Sequence, residues 1–206
     1  IVIKEFNTKP VAHELCRVLN TGIIYLVRHP VGSVRSIMDR GWEDELDVFI
    51  DRDYLAEYLD EAAISFCESI RASGGQFARH VLQWGLENLY PLRRQPEQGI
   101  PLLTYEELVS RPRRISQWLS NEFDLPHPSR MVECVGRPSK AVRSDSRDKL
   151  HARSPERLAA RRFNELTCQE RDTVAEILNA LEITIYSADS PAPAPWATQF
   201  GKLNLA

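Results

Sequence analysis

The chain has 206 residues, of which 43% are hydrophobic and 27% are charged, so it can bury the core of one domain and is not a disordered chain. Its 26 basic and 29 acidic residues give a net charge of −3, which argues against non-specific nucleic-acid binding because that requires a basic excess. The four cysteines form no CxxC pair, so zinc and redox motifs are absent and we expect reduced thiols in a cytoplasmic protein. No apolar run reaches the length of a membrane span, and we expect neither a membrane nor a nucleic acid as partner.

The first forty residues alternate between strand and helix patterns. Residues 1–6 form a short β-branched run that predicts a strand, and apolar spacing over residues 11–19 predicts a helix that ends near Gly22. Residues 23–27 are continuously apolar, which is typical of a parallel strand covered on both faces. A second helix pattern follows, so the order predicts an α/β fold.

The rest of the chain predicts mainly helices. Residues 42–54 are acidic and allow two interpretations, a solvated loop or short helix, or a lid over an acceptor site. Apolar spacing predicts helices over residues 54–73, 77–90 and 112–123, the second ended by Pro91, and a strand over residues 100–104. A loop is expected at 136–153, and further helices from Pro155 and from a Thr167–Glu170 capping box. We expect one domain over residues 1–186 and a Pro/Ala-rich tail over 187–206.

The strongest functional signal is the arginine that directly follows the second predicted strand. Ligands of parallel α/β sheets bind at the carboxyl ends of the strands, and Arg28 stands at such an end. Pro30 begins the next helix, whose free N–H groups and positive dipole end would lie near Arg28. Ser33 and Ser36 add hydroxyl groups from the first turns. The pattern predicts a phosphate site; in the alternative, Arg28 forms a salt bridge and the serines cap the helix.

The same segment resembles a known family. "YLVRHPVGSVRSIMDRG" is similar to the 3′-phosphate-binding segment of PAPS-dependent sulfotransferases, in which a strand is followed by Arg, any residue, Pro, and a Ser eight positions after the Arg. Arg28, Pro30 and Ser36 match this pattern. The His-Pro pair followed by Gly resembles bacterial members in particular.

Three later segments carry the resemblance along residues 1–186. "LLTYEELVSRPRRISQWLSNEFDLP" resembles the family's strand-Tyr-Glu element with its basic-Pro turn, helix and Phe-x-Leu-Pro ending. "HVLQWGLENL" resembles the preceding helix, with Trp84 and Asn88, and the closing helix of the family resembles the segment that ends at Tyr186. The resemblance implies a P-loop-NTPase-like three-layer sandwich, with a small parallel sheet flanked by helices.

The resemblance also implies an enzyme. It would transfer a sulfuryl group from PAPS to a hydroxyl or amine of a small-molecule or glycan acceptor, without a metal. Lys4 would lie near the transferred group, with a surface lysine as the alternative. The histidine that some members place after this lysine is absent, so Glu5 is the candidate base, and His13 is expected to be structural.

For the co-substrate, the resemblance assigns Arg28 and Ser36 to the 3′-phosphate, with Ser33 beside them. Tyr105 would pack near the adenine, with core packing as the alternative. In place of the family's basic-Gly loop the chain offers Arg143 and Arg147, which a solvated basic loop would also explain.

One part of the family pattern is missing. The Gly/Ser/Thr-rich phosphosulfate loop precedes the first strand in the family, and no such loop occurs in these residues; we expect that an N-terminal portion carries it. Two alternatives stay open, a P-loop kinase-like nucleotide-binding protein and a non-catalytic sulfotransferase-like scaffold.

Overall fold

A computed structural model describes residues 12–98, 100–135 and 155–198. This part of the chain is mostly helical, with one small sheet of two strands, β1 (Tyr25–Val27) and β2 (Leu102–Thr104), and a short 3-10 helix at Pro195–Thr198. The α-helices are α1 (Ala12–Leu19), α2 (Pro30–Met38), α3 (Leu46–Phe49), α4 (Arg52–Ala56), α5 (Glu61–Ser73), α6 (Gln76–Gln98), α7 (Tyr105–Ser110), α8 (Pro112–Phe123), α9 (Pro128–Val135), α10 (Pro155–Asn164) and α11 (Cys168–Ala180).

The two strands pair in parallel, and this confirms the coarse α/β prediction. Val27 lies opposite Thr104, so both strands end at the same edge of the sheet. Helices α2 to α6 form the connection between the strands, which fits the need of a parallel pair for a long crossover. The strand predicted over residues 1–6 lies outside the described residues.

The apolar run at residues 23–27 was predicted to form a strand covered on both faces, and this prediction was wrong for β1. Tyr25 and Val27 are buried, whereas Leu26 between them is 48% exposed. Successive side chains of a strand point to opposite faces, and only the face of Tyr25 and Val27 packs on the helical core. The apolar run alone did not reveal this difference.

The core lies between α2, α6 and α11. Val34 of α2, Val81 of α6 and Ile177 of α11 are fully buried, and α6 packs against both of the other helices. The apolar residues whose spacing predicted α6 and α11 therefore face the core as expected. Helix α2 thus packs into the core with its N-terminus at the carboxyl edge of the sheet.

Two helix boundaries differ from the prediction. Helix α6 continues past Pro91 to Gln98. The proline removes one N–H donor from the helix, and the turn that follows is joined to the segment after α11 by Arg93, which pairs with Glu182 at 2.8 Å. The single helix predicted over residues 54–73 is divided into α4 and α5. Asp60 is the N-cap from which α5 begins, since its side chain accepts a hydrogen bond from the Ala63 N–H at 2.8 Å.

The acidic segment after Gly41 is docked on α6. Asp44 pairs with Arg79 at 2.6 Å, the Glu45 N–H donates to Gln83 at 2.8 Å, and Leu46 is fully buried. Arg79 holds the pKa of the Asp44 carboxyl below its usual value. These contacts fit the interpretation as a short helix better than that of a lid.

The segment after α11 also packs on the domain. Tyr186, Ala188 and Ala197 are buried, and the Ala194 N–H donates to the Ile185 carbonyl at 2.8 Å. Among the helices of the described residues, none combines the length and apolarity needed to cross a membrane.

Candidate functional site

The carboxyl edge of the sheet brings Arg28 and Tyr105 together. Arg28 directly follows β1 and Tyr105 directly follows β2, and the register that pairs Val27 with Thr104 places the two residues side by side. The Arg28 Cζ lies 4.5 Å from the centroid of the Tyr105 ring, within the range of a cation–π contact. The ring therefore holds the guanidinium at the edge where ligands of parallel sheets bind.

Gly32 gives the guanidinium its place on the first turn of α2. A Cβ atom at Gly32 would lie 2.7 Å from the Arg28 Nε and 3.2 Å from its Cζ, so any larger residue would displace the arginine. The cation thus lies against the N-terminal turn of a helix, where the dipole is also positive. The charge of the guanidinium and the positive end of the helix dipole repel each other, and together they attract an anion.

The hydrogen-bonding capacity of Arg28 is unused within the described residues. Its Nε atom is buried without a hydrogen-bond partner there, although buried donors are normally paired. No described carboxylate forms an ion pair with it, so the salt-bridge alternative finds no support in this part of the chain. An unpaired cationic donor at a sheet edge is suited to bind a phosphate oxygen.

The two serines differ in their position on α2. Ser36 lies four residues after Gly32 and therefore on the same face of the helix as the guanidinium. Ser33 is the next residue after Gly32 and lies about 100° around the helix; its N–H donates to the His29 carbonyl at 3.1 Å. Helical spacing thus places Ser36 on the face of α2 that Gly32 shares with Arg28, and Ser33 to one side of it.

His29 has a structural task that the sequence reasoning missed. Its Nδ1 accepts from the Val31 N–H at 3.2 Å, and its Nε2–H donates to the Ser187 carbonyl at 3.1 Å. Burial lowers the pKa of His29 to about 4, so the ring is neutral at neutral pH. His29 is therefore the N-cap of α2, and its place before a proline at the first helical position was the available signal.

Glu106 is a second residue beneath the edge whose contacts the sequence did not reveal. Its carboxylate accepts the backbone N–H of His29 at 3.1 Å and the hydroxyl of Tyr186 at 2.6 Å. Burial raises the pKa of Glu106, and the nearby charge of Arg28 opposes this rise. Burial and the Glu106 charge also raise the pKa of Tyr186, which keeps its hydroxyl protonated as a donor. Glu106 thereby ties the β1–α2 turn to the segment after α11.

The other residues that the sequence singled out lie outside the described part of the chain, in α1 or in the core. The structure does not describe Lys4, Glu5, Arg143 or Arg147, and His13 is a residue of α1. Asn88 accepts from the Tyr25 hydroxyl and donates to the Trp84 carbonyl. The Trp84 ring packs on Tyr186 with centroids 6.2 Å apart. The residues of the "HVLQWGLENL" motif thus support the core below the edge.

A shallow cavity lies elsewhere, between the end of α6 and the segment after α11. It has about 330 Å³ of empty volume, which includes space open to solvent, and its walls are mainly Leu89, Leu92, Leu181, Ile183 and Trp196. It shares no residue with the Arg28 edge, and its one cation, Arg93, is paired with Glu182. An apolar cavity with a neutralised cation is less suited to a phosphate than the edge, where the Arg28 Nε has no hydrogen-bond partner among the described residues.

No protein-family model matches the chain, and no curated protein or solved structure matches it either. The functional assignment therefore depends on the residues at the sheet edge and on the motifs that surround them.

Proposed function

We propose that this chain binds the nucleotide PAPS and belongs to a sulfotransferase that transfers the sulfuryl group to a hydroxyl or amine of a small-molecule or glycan acceptor. The observation that carries the proposal is the Arg28 side chain. Its Nε is buried and unpaired within the described residues, it stacks on Tyr105, and it lies against the first turn of α2.

Each edge residue then has a role toward the 3′-phosphate of the nucleotide. Arg28 donates hydrogen bonds to the phosphate oxygens, the N-terminal turn of α2 adds its positive dipole end, and Ser36 adds a hydroxyl donor. Tyr105 holds the guanidinium on one face of its ring, which leaves only the opposite face for an adenine. Ser33 lies beside this group and is the weakest of the proposed contacts.

The finer fold and the chemistry belong to the same proposal. The two parallel strands and the helices around them would form part of a P-loop-NTPase-like three-layer sandwich. In the reaction, the acceptor oxygen or nitrogen forms a bond to sulfur, and the bond between sulfur and the phosphate oxygen breaks to release adenosine 3′,5′-bisphosphate. Lys4 would stabilise the charge on the leaving phosphate, and Glu5 would accept the acceptor's proton.

A thermal-shift comparison tests the nucleotide site. We expect adenosine 3′,5′-bisphosphate to raise the melting temperature of the full chain more than ATP does, since stabilisation follows the affinity for the folded state. Arg28→Ala should abolish this rise. Preference for ATP would favour a kinase-like protein, and the absence of any response would favour a non-catalytic scaffold.

Arg40→Ala is the matched control. Arg40 stacks on the Trp42 ring with its Cζ 5.0 Å from the ring centroid, which is the same type of contact, but it lies beyond the opposite end of α2. Its removal changes the net charge by the same amount and should leave the bisphosphate response intact. Equal responses in Arg28→Ala and the wild type would refute the site.

A further inference from the structure

Glu106 is a buried acid beneath the edge, and its Oε1 lies 3.1 Å from the backbone nitrogen of His29, the residue that follows Arg28. Glu106 is 8% exposed, and its carboxylate accepts hydrogen bonds from the neutral His29 N–H and Tyr186 hydroxyl. It is adjacent in sequence to Tyr105, on which the Arg28 guanidinium stacks. The positive charge of Arg28 favours the ionised form of Glu106 through space, without an ion pair between the two residues.

We propose that Glu106 takes up a proton from solvent when an anion binds at Arg28, so that this acid sets the pH range in which the site accepts its ligand. The inference rests on the proposed function. It assigns Glu106 a role in regulating anion affinity that goes beyond its structural hydrogen bonds.

The physical reason is competition for one positive charge. A ligand dianion placed against Arg28 adds negative charge close to the ionised Glu106 carboxylate in a poorly hydrated place, where charges interact more strongly than in water. The ionised form of Glu106 is then less favourable in the complex than in the free protein. Proton uptake and anion binding are therefore linked, and each favours the other.

The neighbouring groups leave Arg28 as the charged residue that acts on Glu106. His29 from the β1–α2 turn is neutral because burial lowers its pKa to about 4, and Tyr186 from the segment after α11 stays protonated. From α10, which packs on α7, Arg161 and Arg162 are engaged in ion pairs with other carboxylates.

Glu107, the next residue of α7, provides a matched control. It is also buried, with 3% exposed, and burial also raises its pKa. Its nearby charges are Arg111 and Arg114 instead of Arg28. A proton linkage that depends on Arg28 should therefore involve Glu106 and leave Glu107 unaffected.

Calorimetric titration with inorganic sulfate between pH 5 and 8, at constant ionic strength, tests the inference. Sulfate remains a dianion across this range, whereas a phosphate monoester titrates near pH 6. Wild-type affinity should fall by about tenfold or more as the pH rises, because the ionised Glu106 carboxylate repels the sulfate dianion. Titrations in two buffers of different ionisation enthalpy should show that the wild type takes up protons when it binds sulfate.

Glu106→Gln removes the charge and keeps both hydrogen bonds, because its oxygen can accept the His29 N–H and its amide can donate to the Tyr186 hydroxyl. This variant should bind sulfate about tenfold more tightly than the wild type at pH 8 and by a smaller factor at pH 5, without proton uptake. Glu107→Gln should behave as the wild type. Two results would overturn the inference and leave the anion site standing: sulfate binding by the wild type with no pH dependence, or equal affinity of the wild type and Glu106→Gln for sulfate at pH 8. Failure of every protein to bind sulfate overturns both.

Discussion

Removal of the Tyr186 hydroxyl should destabilise the protein in a way that depends on pH. In Tyr186→Phe the ring keeps its packing on His29 and Trp84, but Glu106 loses the donor that lies 2.6 Å from its Oε2. A hydrogen bond to a charged group contributes about 1.5–3 kcal/mol to the free energy of unfolding. A loss of about 2 kcal/mol lowers the melting temperature of a chain of this size by roughly 4–8 °C.

The pH dependence follows from the pKa of Glu106. Burial raises this pKa in the folded state, so the folded protein binds the proton more tightly than the unfolded chain does. The resulting stabilisation is complete below the ordinary carboxyl pKa of about 4.3 and is lost as the pH rises through the raised value. Tyr186→Phe raises that value further, because the lost donor favoured the ionised form.

Urea unfolding of both proteins at pH 5 and pH 8 measures the effect. We expect the difference in free energy of unfolding to be largest at pH 8 and smaller at pH 5, where more of Glu106 is protonated. Tyr25→Phe is the matched control, since its buried hydroxyl donates to the neutral amide of Asn88 and its cost should not vary with pH. An equal difference at both pH values for Tyr186→Phe would refute the reasoning.

Two further predictions concern the helix that carries the site and the segment docked on α6. Gly32→Ala should leave the melting temperature unchanged or slightly higher, because alanine favours helix. It should weaken bisphosphate binding severalfold in calorimetry, since the new Cβ would lie 2.7 Å from the Arg28 Nε. An unchanged affinity of this variant for the bisphosphate would contradict the prediction. Leu46→Ala should lower the free energy of unfolding by about 2–5 kcal/mol because Leu46 is fully buried, whereas Val48→Ala, at a residue 77% exposed, should change it by less than about 0.5 kcal/mol. Equal costs for these two variants would show that the segment is not docked in solution.

The location of Arg28 could be predicted from the sequence because the reasons for it are local. An apolar run followed by Arg28 and then by Pro30 marks the end of a strand and the start of a helix. The neighbourhood of Tyr105 follows from the same rule, since two parallel strands end at one edge of a sheet. The stacking of the two side chains depends on the register, which the sequence does not display.

The support beneath the edge could not be predicted because its contacts join distant parts of the chain. The Glu106 carboxylate meets a hydroxyl 80 residues later and a backbone N–H 77 residues earlier, and the His29 ring meets a carbonyl 158 residues later. No periodicity or local motif encodes such pairs. The exposure of Leu26 was missed for a related reason, because burial of each strand face depends on what the fold brings against it.

The central claim is that the Arg28 guanidinium binds the phosphate of the ligand, and nuclear magnetic resonance of its side chain tests this most directly. The buried and unpaired Nε–H should give a resolved ¹H–¹⁵N signal that is assigned by its absence in Arg28→Lys. Titration with adenosine 3′,5′-bisphosphate should shift this signal downfield and saturate at the affinity measured by calorimetry. A signal that stays unmoved at saturating bisphosphate, while other signals of the protein shift, would contradict the account.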